Sequence, residues 1–475
     1  MSEFIKLFEW TFLIYFILLN TGYIGLNLVA VLQIKRYINL LSSHSLPKSL
    51  AEMAPPVSII VPAYNEEPTI ISSIHAMLQL DYDEFELVVV NDGSRDDTLE
   101  VMIRQFDLHA FPEAVRRRLE TEAIKTVYVS RKYPNLRVVD KVNGGKADAL
   151  NAGINVCRYP LFCVVDADSI LQQDSLRQVV QPFIEDPLTV AAGGTIRISN
   201  GCTVERGFLS HVDLSRKPLV LLQIAEYLRA FLFGRMGWAP LNALLIISGA
   251  FGVFKKEAVI LAGGYRRDTV GEDMELVVRL HRVLRTEGKP YRITFVPDPI
   301  CWTEAPEDLK GLKSQRIRWQ RGLAESLSAN WSLLFNPRGG AVGWIAFPYM
   351  VIFELLGPFL EVAGYLFFIS GAVFGFIDEE AAIIFFVAAI GFGLLLSATA
   401  LLLEEISFHI YPRFRHTLFL ILAATLENFG YRQLNSLWRL QGMIRWMLGH
   451  KSSWGEIRRV GHGSPETPVR EDKHP

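Results

Sequence analysis

The chain has 475 residues, of which 50% are hydrophobic and 21% are charged, and its formal net charge is −2. This near-neutral balance gives no support for nucleic-acid binding, and the length suits two or three structural units. The mean hydropathy is positive, which together with the many charges is typical of a soluble domain joined to membrane segments. The four cysteines show neither a CxxC pair nor zinc-ligand spacing, so we expect reduced thiols in the core of a cytosolic domain.

The first predicted element is a membrane helix. Residues 7–34 are apolar apart from a few polar side chains, and this run is long enough to cross a bilayer with some tilt. Lys35 and Arg36 follow it directly, and by the positive-inside rule they place the next part of the chain in the cytoplasm. We therefore assign residues 1–36 to an N-terminal transmembrane helix.

Residues 55–338 alternate short apolar strands with helical patterns, which predicts an α/β domain with a mostly parallel sheet. The predicted strands are Val57–Val61, Phe85–Val90, Thr126–Val129, Leu136–Val139 and Leu161–Val165. The predicted helices are Glu67–Gln79, Asp97–Phe106 and Lys146–Val156. Because ligands of open α/β sheets gather at the carboxyl ends of the strands, the residues that follow each strand form the candidate site.

The last of these strands is followed by two carboxylates, Asp166 and Asp168. Alternation along an extended chain would point both side chains to the same side. Such a pair suits a hard divalent cation that also binds substrate phosphates. A strand that simply ends in a polar turn would have the same sequence, so this motif alone does not decide the function.

Three earlier strand ends carry polar motifs of their own. Residues 63–67, Ala-Tyr-Asn-Glu-Glu, can hold a flat heterocycle or merely cap a helix. Asp92, within Asn-Asp-Gly-Ser, can accept a hydrogen bond from a uracil-like base or belong to an ordinary turn. In residues 143–151, two glycines allow a ligand to approach the backbone, and Lys146 at a helix N-terminus supplies charge for a diphosphate. The alternative there is a glycine-rich turn with a solvated lysine.

Together, these four motifs resemble those of the family 2 glycosyltransferases of the GT-A type, and most of all the membrane-embedded poly-N-acetylglucosamine, hyaluronan, chitin and cellulose synthases. Residues 246–254 resemble the segment that lines the acceptor site, residues 268–276 contain a TED or GED motif as Gly271-Glu-Asp273, and Gln315–Trp319 matches QxxRW. Asn91 replaces the first aspartate of the commoner DDGS. Gly271 replaces the threonine of TED, which moves the likeness away from cellulose synthase.

The resemblance implies an α/β GT-A fold, a UDP-sugar donor, and Mg²⁺ or Mn²⁺ held by Asp166 and Asp168. Asp273 would be the catalytic base, with Glu272 as the other candidate carboxylate. One base without a protein nucleophile implies inversion, and hence a β-linked product from an α-linked donor. The residues implied for donor binding are Ala63, Tyr64, Glu66, Asp92, Lys146, Asp166, Gln315 and Arg318. The residues implied for acceptor binding are Ser248, Gly249 and Trp319.

After Pro337 the chain becomes apolar again. Residues 344–377 predict a membrane helix with a kink at Gly357-Pro358. Residues 381–403 predict another span. For residues 417–437 we expect an interfacial amphipathic helix rather than a further span. We assign residues 341–448 to these helices and residues 449–475 to a basic, partly disordered tail. Glu354 and Glu361 are functional candidates, because carboxylates inside a membrane are costly.

The sequence therefore predicts a multi-pass plasma-membrane enzyme with a cytoplasmic catalytic domain. It would build a β-linked polysaccharide from UDP-GlcNAc or a close hexose donor, processively and coupled to export, with membrane lipids and accessory export subunits as partners. An enzyme that transfers a single sugar to a membrane lipid is the alternative within the family. A nucleotide-sensing scaffold on an inactive transferase fold is the alternative outside it, and the presence of both Asp168 and Asp273 disfavours it.

Overall fold

The computed structural model describes residues 2–43, 54–112, 115–205, 207–375, 387–411 and 413–450, together with residues 380, 383 and 384. The predicted disordered tail and part of the predicted span 381–403 lie outside these residues. All four cysteines are described and free, and three of them are buried. The predicted core position is confirmed for Cys157, Cys163 and Cys301, and the reduced state stays a prediction.

The strands of residues 54–303 follow the apolar runs of the sequence. They are β1 (Val57–Ala63), β2 (Phe85–Asn91), β3 (Leu108–Phe111), β4 (Ile124–Ser130), β5 (Leu136–Lys141), β6 (Leu161–Val165), β7 (Ile170–Leu171), β8 (Thr189–Ile198), β9 (Thr203–Glu205), β10 (Phe208–His211), β11 (Phe251–Lys255) and β12 (Arg292–Thr303). Within the described residues, ten of them form one mixed sheet in the order β3-β4-β5-β2-β1-β6-β11-β8-β12-β7, and β9 pairs with β10. The five predicted strands are confirmed.

The register of the sheet places the candidate site on one edge. β1, β2, β5 and β6 are parallel neighbours. Ala63 pairs with Asn91, and Asn91 pairs with Asp140, so these three strands end level with one another. The segments that follow β1, β2, β5 and β6 therefore emerge at the same edge, as the ends of buried parallel strands do in α/β sheets.

The helices on and around the sheet are α1 (Ser2–Ser43), α2 (Ile70–Met77), α3 (Thr98–Phe106), α4 (Lys146–Val156), α5 (Ser175–Glu185), α6 (Pro218–Tyr227), α7 (Gly234–Trp238), α8 (Lys256–Leu261), α9 (Glu272–Thr286) and α10 (Leu309–Ala329). The three predicted helices are confirmed, although α2 begins at Ile70 rather than Glu67. The residues before it form a turn in which the Thr69 N–H donates to the Glu66 carbonyl.

The C-terminal part is helical. A stretch of π and α turns over residues 342–355 is followed by α11 (Gly357–Phe374), α12 (Phe392–Ser407), α13 (Phe414–Leu426) and α14 (Arg432–Met447). The predicted kink is confirmed, because the helix is interrupted at Leu356, directly before Gly357-Pro358. Among the described residues, Ile5–Lys35 and Val342–Gly371 are long and apolar enough to cross a membrane. The chain leaves helical geometry at Phe429 and Gly430, and the interfacial position of residues 417–437 stays a prediction.

Candidate active site

One cavity of about 1290 Å³ brings together most of the residues that the sequence predicted for the site. Its lining includes Lys146, Asp166, Asp168, Ser248, Gly249, Glu272, Asp273, Gln315, Arg318 and Trp319. These residues come from the ends of β6 and α4, the segment before β11, and the helices α9 and α10. Four other predicted residues, Ala63, Tyr64, Glu66 and Asp92, are described but do not line this cavity.

Lys146 lies among carboxylates in this cavity. Its Nζ is 2.5 Å from Oδ1 of Asp166 and 3.8 Å from Oε1 of Glu272. Burial alone would lower the pKa of Lys146, but the attraction of Asp166 and Glu272 outweighs burial and raises it. Burial raises the pKa of Glu272 to about 7, although Lys146 opposes the rise. Lys146 is therefore a fixed cation, and Glu272 can hold a proton near neutral pH.

Asp273 is held in place by main-chain donors at the start of α9. The Gly249 N–H donates to its Oδ2 at 2.9 Å, and the Met274 N–H donates to its Oδ1 at 2.7 Å. A Cβ atom on Gly249 would lie 3.3 Å from Lys146 Nζ and 3.4 Å from Asp273 Oδ2. The backbone at Gly249 thus runs between the cation and the carboxylate, and a glycine there keeps the space between them open.

The loop before α9 packs directly against α10. A Cβ atom on Gly271 would lie 2.8 Å from the Cα of Gly322, so only a residue without a side chain fits here without movement. Glu325 of α10 adds two hydrogen bonds, accepting from the Thr269 hydroxyl and the Val270 N–H, each at 2.9 Å. The carboxylates at the start of α9 are therefore fixed relative to the helix that carries Gln315, Arg318 and Trp319.

Trp319 supplies an aromatic surface on the cavity wall. The ring centroid of Trp319 is 5.6 Å from the ring centroid of Phe231, and the guanidinium carbon of Arg316 lies 4.6 Å from the Trp319 centroid. Arg316 is itself held by Glu226 at 2.7 Å. An indole face bounded by fixed neighbours suits stacking against the apolar face of a sugar ring.

Comparison with known proteins decides the family. Residues 161–402, half of the chain, match the family described as Glycosyl transferase family group 2. Residues 58–258 match Glycosyl transferase family 2. The chain belongs to the family 2 glycosyltransferases. The prediction that the protein is a glycosyltransferase is thereby confirmed, and so is the predicted α/β GT-A fold.

Relatives of this glycosyltransferase include poly-beta-1,6-N-acetyl-D-glucosamine synthases. One from Staphylococcus epidermidis is 28% identical over 291 residues, 61% of this chain and 60% of the relative. One from Staphylococcus aureus is 31% identical over 274 residues, 57% of this chain and 55% of the relative. The match thus spans somewhat more than half the length of these relatives. The mannosyltransferase PcManGT from Pyrobaculum calidifontis, solved with GDP-Man and Mn²⁺, shares the fold with a TM-score of 0.51 at 20% identity, over 89% of this chain and 99% of that one.

Ala63, Tyr64, Glu66 and Asp92 lie at neighbouring strand ends of the glycosyltransferase, beside the cavity rather than on its wall. The turn after β1 and the turn after β2 hold each other: the Asn65 N–H donates to the Ser94 hydroxyl at 3.0 Å, and the Arg95 N–H donates to Oδ1 of Asn65 at 2.9 Å. Tyr64 is 42% exposed at this edge. Contacts of these residues with a donor stay predictions.

The carboxylate of Asp92 is buried and is hydrogen-bonded within the protein. It accepts hydrogen bonds from Lys141 Nζ at 2.5 Å and from the N–H groups of Gly144 and Gly145 at 3.0 and 2.7 Å. Burial raises the pKa of Asp92, although Lys141 and these N–H groups oppose the rise. Asp92 therefore holds the glycine turn that presents Lys146, and a direct contact with a base stays a prediction.

Lys141 is a site residue that the sequence patterns missed. It is fully buried, and its Nζ lies 2.5 Å from Asp92 and 2.6 Å from Asp148. Asp148 lies on α4, two residues after Lys146, so Lys141 ties the turn after β2 to the helix that carries Lys146. One sequence signal could have identified Lys141. It lies at the polar end of the apolar strand β5, at the edge of the sheet where the other motifs emerge.

The same cavity extends from the carboxylates to the apolar C-terminal helices, where its lining includes Tyr349, Phe353, Glu354, Glu361 and Tyr365. Glu354 accepts hydrogen bonds from Tyr23 at 2.6 Å and from Arg439 at 2.8 Å. Glu361 accepts one from Ser436. Both predicted carboxylates therefore face the cavity with partners that hold them in place.

Proposed function

We propose that this glycosyltransferase adds GlcNAc, or a close hexose, from a UDP-sugar to the end of a growing β-linked polysaccharide. The observation that supports it is the single cavity that runs from Asp166 and Asp168, past Asp273 and Trp319, to the apolar helices. A polymer extended at the carboxylates would have a continuous path toward the membrane. The poly-beta-1,6-N-acetyl-D-glucosamine synthases among the relatives support the same class of product.

The donor side would be formed by Lys146, Asp166 and Asp168. Both aspartates line the cavity directly after β6, and Lys146 already pairs with Asp166. Two carboxylates beside a cationic side chain fit a site where Mg²⁺ or Mn²⁺ takes its remaining ligands from water and the donor diphosphate. When bound there, the ion would neutralise charge on the leaving diphosphate. Lys146 would contact the same phosphates, with Arg318 near them.

The acceptor side would be formed by Trp319, the Ser248-Gly249 segment and Asp273. The sugar ring would stack on Trp319, and Asp273 would remove the proton from its attacking hydroxyl group. The hydroxyl oxygen then bonds to the anomeric carbon as the bond from that carbon to the phosphate oxygen breaks. One displacement inverts the anomeric centre and gives a β linkage from an α-linked donor.

The enzyme would be a multi-pass membrane protein with its catalytic part in the cytoplasm. The helix Ile5–Lys35 supports this, since it exposes Leu7, Trp10, Leu28 and Leu32 by more than 60% each. Apolar side chains in such number are unusual on a surface that faces water. Lys35 and Arg36 at its end favour the cytoplasmic side for the residues that follow. Lipids and export subunits are the partners this arrangement would have.

Purified enzyme in lipid nanodiscs should be incubated with radiolabelled UDP-GlcNAc, UDP-glucose and GDP-mannose, and the product sized after removal of the protein. We expect a polymer of β-linked sugar from one UDP-sugar, loss of its formation in EDTA, and recovery when Mg²⁺ or Mn²⁺ is added back. A product of one sugar on a lipid would instead support the single-transfer alternative. Absence of transfer from every donor, with a folded protein and metal present, would refute the proposal.

A further inference from the structure

The break in the C-terminal apolar helix leaves a main-chain carbonyl that needs a partner. At the break, the Phe359 N–H donates to the Leu356 carbonyl at 3.1 Å. Pro358 has no N–H, so it cannot donate to the carbonyl four residues earlier, that of Glu354. An unsatisfied carbonyl is costly away from water, and a stable break therefore requires donors from outside the helix.

Two side chains from other helices provide these donors. Gln320 Nε2 on α10 donates to the carbonyls of Glu354 at 3.0 Å and Leu355 at 3.2 Å. Arg439 on α14 donates through Nη2 to the Glu354 carbonyl at 2.7 Å and through Nε to Oε1 of Gln320 at 2.8 Å. Arg439 and Tyr23 of α1 also donate to the Glu354 carboxylate. We name Tyr23, Gln320, Glu354 and Arg439 the helix junction.

The helix junction is closely packed. Gln320 is only 2% exposed. A Cβ atom on Gly442 of α14 would lie 2.7 Å from the Ile317 carbonyl oxygen and 3.2 Å from the Cβ of Gln320. Arg439 precedes Gly442 by three residues and so lies on the same face of α14. A glycine at this position lets the two helices approach until the Arg439 side chain reaches Gln320.

Gln320 directly follows Trp319 on α10, so the helix junction acts on the residue that faces the acceptor. A rotation or shift of α10 would move the indole ring relative to Asp273 on α9. We propose that Gln320 and Arg439 are positioning residues: they fix α10 against the broken helix so that a sugar on Trp319 presents its hydroxyl group to Asp273. This inference rests on the proposed function of the site.

The test compares Gln320→Met, Arg439→Met and the double variant with the wild-type enzyme. Methionine matches the length of glutamine and keeps the aliphatic part of arginine, and at both positions it removes the hydrogen bonds. Arg445→Met is the matched control, because Arg445 is an exposed residue of α14 outside the helix junction. We expect each single variant to lower transfer at saturating donor by about 10- to 100-fold, the scale for a misplacement near 1 Å. Donor affinity should stay within about twofold, and the double variant should be little worse than either single one, because both changes remove the same contact.

Hydrogen exchange of residues 350–360, which needs no turnover, gives a second measurement on the same proteins. We expect faster exchange in the Gln320 and Arg439 variants and none of this change in Arg445→Met. Wild-type transfer rates in both single variants, or a loss of donor affinity as large as the loss of transfer, would overturn the inference. If methionine prevents folding, Arg439→Lys and Tyr23→Phe provide milder changes with the same expected direction. A wild-type enzyme without transfer would refute the proposed function, while the exchange data would still decide whether these residues hold the break.

Discussion

Replacing Gly271 with alanine should move Glu272 and Asp273 away from α10. The new Cβ atom would lie 2.8 Å from Gly322 Cα and 3.0 Å from its carbonyl oxygen, whereas ordinary contact begins at 3.4 Å. Both obstructing atoms belong to the backbone of α10, so they cannot turn aside as a flexible side chain would. The start of α9 must therefore shift by at least about half an ångström, and overpacking of this kind costs about 1–3 kcal/mol of stability.

The shift should impair catalysis more than donor binding. Asp273 lies two residues after Gly271, whereas Lys146, Asp166 and Asp168 lie on other elements. Since a misplacement of 1 Å can cost about 10²-fold in rate, we expect Gly271→Ala to lower turnover by about tenfold or more. Donor affinity should change by less than about threefold on the same grounds.

Steady-state transfer and equilibrium binding of the labelled donor measure the two quantities separately. The matched control is Gly339→Ala, which lies after α10 and does not line the cavity, and where the nearest atom to the added Cβ would be at 3.7 Å, an ordinary contact. We expect this control to retain wild-type turnover. Full activity in Gly271→Ala, or an equal loss in Gly339→Ala, would show that the close approach of Gly271 and Gly322 does not set the position of Asp273.

Two further predictions concern buried charge. Lys141→Met should leave Asp92 buried without its cation, while Asp148 keeps the Arg267 guanidinium at 3.0 Å. We expect this to destabilise the protein by about 3–5 kcal/mol and to weaken donor binding through the Lys146 turn. Thermal unfolding and donor titration check this, and unchanged stability would contradict it. Burial lowers the pKa of His281 to about 4, whereas the unfolded residue titrates near 6.5. Its stability contribution is therefore complete above pH 6.5 and falls by about 3 kcal/mol as the pH drops toward 4. In His281→Gln, the thermal unfolding midpoint should depend less on pH between pH 6.5 and 4 than it does in the wild-type protein. An unchanged pH dependence would show that His281 is not the group responsible.

Local sequence patterns were sufficient for the central strands and for the residues at their ends. The apolar runs of β1, β2, β5 and β6 are short and bounded by polar turns, and parallel pairing brings those turns to one edge whatever the remaining packing is. This is why Lys146, Asp166 and Asp168 were predicted together. The resemblance of residues 268–276 and 315–319 to family motifs added Asp273 and Trp319.

The contacts that fix these residues could not be read from local patterns. Gly271 and Gly322 are 51 positions apart, and each looks like an ordinary glycine until α9 and α10 are placed together. Gln320 and Arg439 are 119 positions apart, and their hydrogen bonds depend on a helix break contributed by a third segment. The burial of Lys141 likewise depends on two aspartates from different elements. Such contacts are properties of the packed chain and not of any one stretch of it.

The most direct test of the account compares Asp273→Asn with Asp168→Asn in folded, nanodisc-embedded enzyme, measuring donor affinity and transfer rate for each. Asparagine at position 273 can still occupy the space beside Gly249 but cannot accept the proton, so transfer should fall by roughly two or more orders of magnitude with donor affinity nearly unchanged. Asp168→Asn should weaken metal-dependent donor binding as well as transfer. If Asp273→Asn kept near-normal transfer, or lost donor affinity as severely as Asp168→Asn, then Asp273 would not be the catalytic base.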